Sequence, residues 1–254
     1  MFLPDTVDLG NGFKQYFEIV PAFSKSLKEE VYRVRHEVYC EDLEFESLRS
    51  DRRETDEYDP YSLHILMRSV QTNEFIGCTR LVRPRPEDPH CPLPFEITCA
   101  DILDRSIVDP AKLPRHSIAE VSRLAVIARY RRRKGESNTT LGISDEDFGT
   151  LKLPRFPYIS IGLYLATTEL ARLNGIDTLF VLTEERLANH FGKLGVKVQS
   201  IGGAIEHHGK RMPSMMSVSG IINDIRNIIR PLYHTIAIDI KKGIEKCNSD
   251  EDFV

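Results

Sequence analysis

The 254-residue chain has no tryptophan, and no apolar run approaches the roughly 20 residues of a membrane-spanning helix. The opening MFLPDTVDLGNGF lacks both a basic start and a long apolar stretch, so no secretory signal is expected and a cytoplasmic protein is. The five cysteines, at 40, 78, 91, 99 and 247, are odd in number and scattered. That pattern argues against a disulfide framework and for free thiols in a reducing compartment. A net charge of -4 excludes binding of polyanions by the domain as a whole, and no basic run is interleaved with aromatics. Nucleic acid is therefore not an expected partner. Internal repeats, Gly-x-Ser-x-Gly and Walker motifs are missing as well. His90, Cys91 and Cys99 have no common zinc spacing, so no metal is expected. His207 and His208 in EHHGKR are adjacent rather than on one helix face, and read as a turn.

What is present is an ordinary globular composition, 41% hydrophobic and 28% charged. It suits a single domain over 1–254, with a core from about 13 to 220 and a C-terminal helical tail over 221–254. FKQYFEIV (13–20) alternates partially and predicts a first strand. Leu27, Val31, Val34 and Val38 recur at helical spacing behind an N-cap serine, Ser24 or Ser26, predicting a helix over 24–43. Residues 47–62 are too charged for core and read as a loop. SLHILMRSV and FIGCTRLV read as strands joined by a tight turn, and five prolines make 84–95 an extended loop. Further strands are expected over 117–127 and 177–183, with one or two more in 196–219. Helices are expected over 158–175 and 184–195, each closed by glycine. In the tail, Ile221, Ile225, Ile228, Leu232, Ile236, Ile240 and Ile244 keep helical spacing, interrupted by Pro231. Such an order suggests one α/β domain with a mixed, largely antiparallel sheet flanked by helices.

Two strands break their own pattern. GCTRLV places Arg80 in an apolar run, and EVSRLAV places Glu120 and Arg123 in another. A buried charge costs several kcal/mol unless it is paired or put to use. The anomalies, in order, are Arg35, Asp56, Asp59, Arg80, Glu120 and Arg123.

Four motifs in this order resemble those of the N-acyl-homoserine lactone synthases, an offshoot of the GCN5-related N-acetyltransferase (GNAT) fold. RHEVY supplies Arg35 and Tyr39, DEYD supplies Asp56 and Asp59, GCTRL supplies Arg80, and EVSRL supplies Glu120, Ser122 and Arg123. The likeness covers roughly residues 25 to 200. These synthases usually carry a tryptophan shortly after the first motif; Leu43 or Phe45 would stand near that place here. The greater length is closer to N-acyl amino acid synthases and to the acyltransferases associated with exosortase and PEP-CTERM protein sorting.

The resemblance implies a GNAT-like fold and transfer of an acyl group from a thioester to an amine, with no tightly bound cofactor. Glu120 would help deprotonate the amine, with Ser122 and Arg123 beside it. Strand amides near Ser122 to Val126 would stabilise the oxyanion. Arg35, Arg80 and Arg123 would pair with Asp56, Asp59 and Glu120, forming with Tyr39 an acceptor site. The same residues could instead make a structural ion-pair network. RYRRRKGES, with Arg129, Arg131, Arg132, Arg133, Lys134 and Gly135, would receive the donor. It would act as a phosphate loop for coenzyme A or as a docking patch for an acidic acyl carrier protein; a solvated loop is the plain alternative. EERLANHFGKLGV would flank the pantetheine arm or simply pack in the core. A non-catalytic acyl-thioester sensor is the rival function. The tail, with Lys241, Lys242 and Lys246, could touch a membrane surface weakly or pack on the core.

Overall fold

The computed structural model describes residues 8–251 apart from residue 89 and residues 132–156. The first element departs from expectation: Leu9–Tyr16 is a helix, α1, and only Phe17–Pro21 is strand β1. Asp8 caps α1 by accepting from the backbone N–H groups of Gly10 and Asn11. Gly10 is required by a close approach, because a Cβ there would lie 2.6 Å from Thr235 Oγ1 and 2.7 Å from the Pro231 carbonyl oxygen. Helix packing, which no local alternation reveals, thus decides this segment.

Helix α2 (Lys25–His36) is capped by Ser24 and continues as a π-helical turn over Glu37–Asp42. Strands β2 (Ser62–Ser69), β3 (Phe75–Val82) and β4 (Ile118–Val126) follow, with the one-turn helix α3 (Pro94–Thr98) inside the proline-rich connection. A short α4 (Ala128–Arg131) ends the first half. The second half runs α5 (Tyr158–Leu173), β5 (Thr178–Thr183), α6 (Glu185–Lys193), β6 (Gln199–Ser200), β7 (Ile205–Glu206), β8 (Lys210–Ser217), α7 (Val218–Asp224) and α8 (Arg230–Glu251).

The described strands form one mixed sheet in the order β1-β2-β3-β4-β5-β8-β6, with β7 paired to β8. Every pairing is antiparallel except β4 with β5. Side chains alternate across a strand. On β3, Thr79 faces α5 and meets Thr167, whereas Arg80 shares a carboxylate with Arg35 of α2. The sheet is therefore covered by α5 on one face and α2 on the other.

The C-terminal segment belongs to the core. Pro231 lies in the first turn of α8, where a missing N–H is tolerated, so it starts the helix instead of interrupting one. Ile221, Ile225, Leu232, Ile236 and Ile240 are all buried. The apolar stripe that a membrane-surface role would need is thus used in packing. No helix among the described residues is long and apolar enough to cross a membrane.

Gly195 closes α6 with φ +94°, and a Cβ there would sit 2.3 Å from the Asp224 carbonyl oxygen. We expect Gly195→Ala to lower the unfolding free energy by about 2 kcal/mol or more. A reduced urea midpoint at unchanged slope would show it.

Candidate active site

The site begins as an irregularity of the sheet. β4 pairs with β5 only from Ile118↔Thr178 to Val121↔Val181, and beyond that point the strands part. On its other side β4 bulges: between the pairs Arg80↔Ser122 and Cys78↔Ala125, Thr79 alone faces two residues, Arg123 and Leu124. Arg123 takes φ +52°, a conformation unfavourable for a side chain of this size. A bulge of this kind re-aims side chains, and here it swings the Arg123 guanidinium over the Tyr39 ring, 5.5 Å from its centroid.

Three arginines from three elements meet three carboxylates of the loop before β2. Arg35 is wholly buried and pairs with Glu54 through Nε and with Asp59 through Nη1 at 2.6 Å. Arg80 donates from Nη1 to Asp56 at 2.5 Å and to Asp59 at 2.9 Å, and from Nε to Ser122 Oγ at 3.1 Å. Arg123 reaches Glu54 at 3.2 Å and Asp56 at 3.3 Å. Burial alone would raise Asp59, but Arg35 and Arg80 hold it down at about 2. Glu54 and Asp56 are lowered against burial in the same way, the first by Arg35 and Arg123, the second chiefly by Arg80. All three carboxylates are therefore ionised at neutral pH.

Glu120 behaves oppositely. It was expected to pair with an arginine, yet the described structure gives it no salt bridge. Its Oε2 accepts from the Phe95 backbone N–H at 2.7 Å. Burial pushes its carboxyl up to about 7; that hydrogen bond, Arg80 and Arg123 offset burial only in part. A carboxyl poised near neutrality in a cleft can both take and return a proton.

Where β4 and β5 part, a cavity of about 310 Å³ opens. Its polar wall carries Asp56, Arg80, Glu120, Ser122 and Arg123; its apolar wall includes Tyr164, Leu187, Phe191, Val198 and Met216. Tyr164 stacks on Phe191 at 4.2 Å and donates to Met216 Sδ at 3.4 Å. α6 thus contributes cavity wall as well as core.

Six of the expected site residues line the cavity: Glu120, Ser122, Arg123, Tyr39, Asp56 and Arg80. Tyr39 donates to the Leu124 carbonyl at 3.1 Å, and burial raises its phenol to about 12. Arg35 and Asp59 do not line the cavity; buried behind it, they hold Arg80 and Glu54 in place. The basic run is only partly described. Arg129 is exposed and pairs with Glu74 at 2.7 Å. Arg131 is buried and pairs with Asp42, so it belongs to the interior and not to a surface patch. Neither lines the cavity. Arg132, Arg133, Lys134 and Gly135 lie outside the described residues.

Sequence reasoning missed Glu54, 1% exposed within a loop read as solvated. It read His207 and His208 as a turn, which they form between β7 and β8, but did not place that turn on the cavity wall, which both line. His208 stacks on Phe45 at 4.4 Å, beside the place of the missing tryptophan. Burial lowers both imidazoles. No cluster of metal-binding side chains occurs among the described residues.

Comparison with known proteins fits this geometry. Residues 34–140 match the family model of the acetyltransferase (GNAT) domain. The acyl-homoserine lactone (AHL) synthase LasI superposes with a TM-score of 0.55 at 19% identity, over 83% of this chain and 95% of that one. The chain has the GNAT fold. Other structures with this GNAT fold include BjaI, a CoA-dependent acyl-homoserine lactone synthase solved with SAM and isopentyl-CoA. It has a TM-score of 0.53 and 18% identity, over 87% of this chain and 89% of BjaI. FeeM, an N-acyl amino acid synthase from uncultured soil microbes, gives 0.52 and 12%, over 82% of this chain and 94% of FeeM. No curated protein sequence matches the chain.

Proposed function

We propose that the protein is a cytoplasmic N-acyltransferase. It moves a fatty acyl group from a thioester, on an acyl carrier protein or coenzyme A, to the amine of an amino acid or a related small molecule. The observation that carries this reading is Glu120, a carboxyl at about 7 on the wall of the cavity where β4 and β5 part. Structural likeness to an acyl-homoserine lactone synthase and to an N-acyl amino acid synthase supports it, as does the match to the acetyltransferase domain. A link to exosortase systems rests on sequence resemblance and remains part of this proposal.

In the proposed reaction Glu120, ionised at and above neutral pH, takes a proton from the acceptor ammonium. The freed nitrogen lone pair attacks the thioester carbonyl. Backbone N–H groups of the segment Ser122 to Val126 stabilise the oxyanion. Collapse breaks the carbon–sulfur bond; protonated Glu120 gives the first proton to the leaving thiolate, and the nitrogen's second proton passes to water. Arg123 and Asp56 meet the acceptor's charged groups. The apolar wall at Tyr164, Phe191 and Met216 holds the acyl chain.

Thiol release from acyl-CoA and acyl-carrier donors, with and without a pool of amino acids, tests this directly. Amine-dependent release supports transfer; donor binding without release in any pool favours the sensor. The donor side carries its own prediction. If Arg132 and Arg133 dock a carrier, Arg132→Glu with Arg133→Glu raises the apparent KM for the acyl-carrier donor, most at low salt. Rim charges act over about 10 Å at 0.1 M salt. A short acyl-pantetheine donor should be unaffected, and equal responses of the two donors would leave the run without a docking role.

A further inference from the structure

The Glu120 carboxylate takes its hydrogen bond from a helix too short to hold itself. α3 is a single turn, and isolated helices of such length are unstable in water. Two contacts fix it. Glu96 Oε2 accepts from the Leu93 backbone N–H at 2.7 Å and closes the turn. Glu96 also receives a bidentate grip from Arg115, Nη1 to Oε1 at 3.2 Å and Nη2 to Oε2 at 2.8 Å. Arg115 further donates to the Cys91 carbonyl at 2.9 Å and to the Pro110 carbonyl at 3.4 Å, tying both flanks of the connection to one guanidinium. Glu96 and Arg115 are each only 9% exposed. Between Leu93 and Glu96 lies Phe95. Its ring stacks on Phe180 at 4.5 Å, its N–H reaches Glu120, and Phe180 is the β5 residue paired with Glu120.

We propose that Arg115 and Glu96 are positioning residues that lock α3 against β4 and β5, so that the Phe95 N–H holds the Glu120 carboxylate toward the cavity. As an account of catalysis this rests on the reading of Glu120 as the base; as an account of the carboxylate's surroundings it does not. The charged and titratable groups facing Glu120 are Arg80 from β3, Arg123 from β4, Glu96 from α3, Cys99 just beyond it, and Tyr58 from the loop before β2. Among them Glu96 is the carboxylate, and Arg115 neutralises it.

The lock gives the two partners opposite signatures. Arg115→Gln leaves Glu96 negative beside Glu120 and loosens the Phe95 N–H; both effects favour protonated Glu120. Glu96→Gln removes the negative neighbour, keeps an oxygen for the Leu93 N–H and leaves Arg115 positive, which favours ionised Glu120. The experiment is carboxyl titration by isotope-edited infrared spectroscopy, with Glu120→Gln identifying the band, alongside pH–rate profiles. Arg115→Gln should move the Glu120 titration and the acid limb of kcat upward by about one pH unit. Glu96→Gln should move both downward, and Arg115→Lys should restore most of the wild-type value. KM for the thioester should change little. A titration left unmoved by either variant, or moved the same way by both, overturns the lock. If Glu120→Gln proves fully active, the base reading fails, but the infrared titration still decides the lock. Should Arg115→Gln not fold, the downward shift in Glu96→Gln and the restoration in Arg115→Lys are read alone, and absence of the shift rejects the proposal.

Discussion

Glu120→Gln should lower turnover by about 10²-fold or more, the scale of general-base catalysis, while donor binding persists. The substitution keeps the side chain's size and an oxygen for the Phe95 N–H, and removes the proton acceptor. The wild-type rate should fall with acid along a limb centred near pH 7, since the base must be ionised. Stability should move the other way. A carboxyl with a folded pKa of about 7, against an ordinary 4.5, favours folding below pH 4.5, and this contribution is lost as pH rises to 7. Above that pH the ionised, buried Glu120 destabilises the fold by up to about 3 kcal/mol. The variant should therefore melt higher than the wild type at pH 8 and show less difference at pH 5. Lower activity with higher stability is hard to obtain from a residue that merely supports the structure. An unchanged rate at neutral pH would remove Glu120 from the chemistry.

The second large effect concerns Glu54. Glu54→Ala leaves the fully buried Arg35 with Asp59 as its close carboxylate, strips its Nε of a partner and takes a partner from Arg123, so three arginines are left to two carboxylates. Breaking a buried pair by removing one member costs about 3–5 kcal/mol, because the remaining charge has no water to return to. We expect a loss of that order in urea-denaturation stability. Arg35→Met with Glu54→Leu should lose less than the two single changes added together, since the pair's charges leave together. Acid should bring a related loss. Asp59, Glu54 and Asp56 are held below their ordinary values, so the stability they give is present above about pH 4 and fades as pH falls toward 2. Additive single and double variants would show that Arg35 and Glu54 are not coupled.

The contrast between Glu120 and Glu54 explains what was legible in the sequence. Glu120, Arg80 and Arg123 stand out because a charge within an apolar strand violates a period-2 pattern that has no other use for it. Glu54 sits among the charges of SLRSDRRETDEYDPYS, where one more carboxylate carries no local signal. Only the arrival of α2 and β4 buries it. The long amphipathic helices and the β2–β3 turn were readable because local periodicity and turn chemistry decide them. α1 was not, because two glycines weaken its helical pattern and their use lies in the approach of α8 to Gly10 and of Tyr158 of α5 to Gly12. Arg131 shows the reverse error. A dense basic run reads as surface, but pairing with Asp42 draws Arg131 inside. His207 and His208 form a turn as expected; that the turn lines the cavity depends on β8 pairing with β5, far away in sequence.

The most direct test of acyl transfer to an amine, with Glu120 as its base, is mass spectrometry of lipid extracts. Cells producing the protein would be compared with cells producing Glu120→Gln at equal soluble level. The account predicts a new N-acylated amine with the first and its near-complete loss with the second, the fragment masses naming both acyl chain and acceptor. Identical extracts from the two, with both proteins folded, would contradict it.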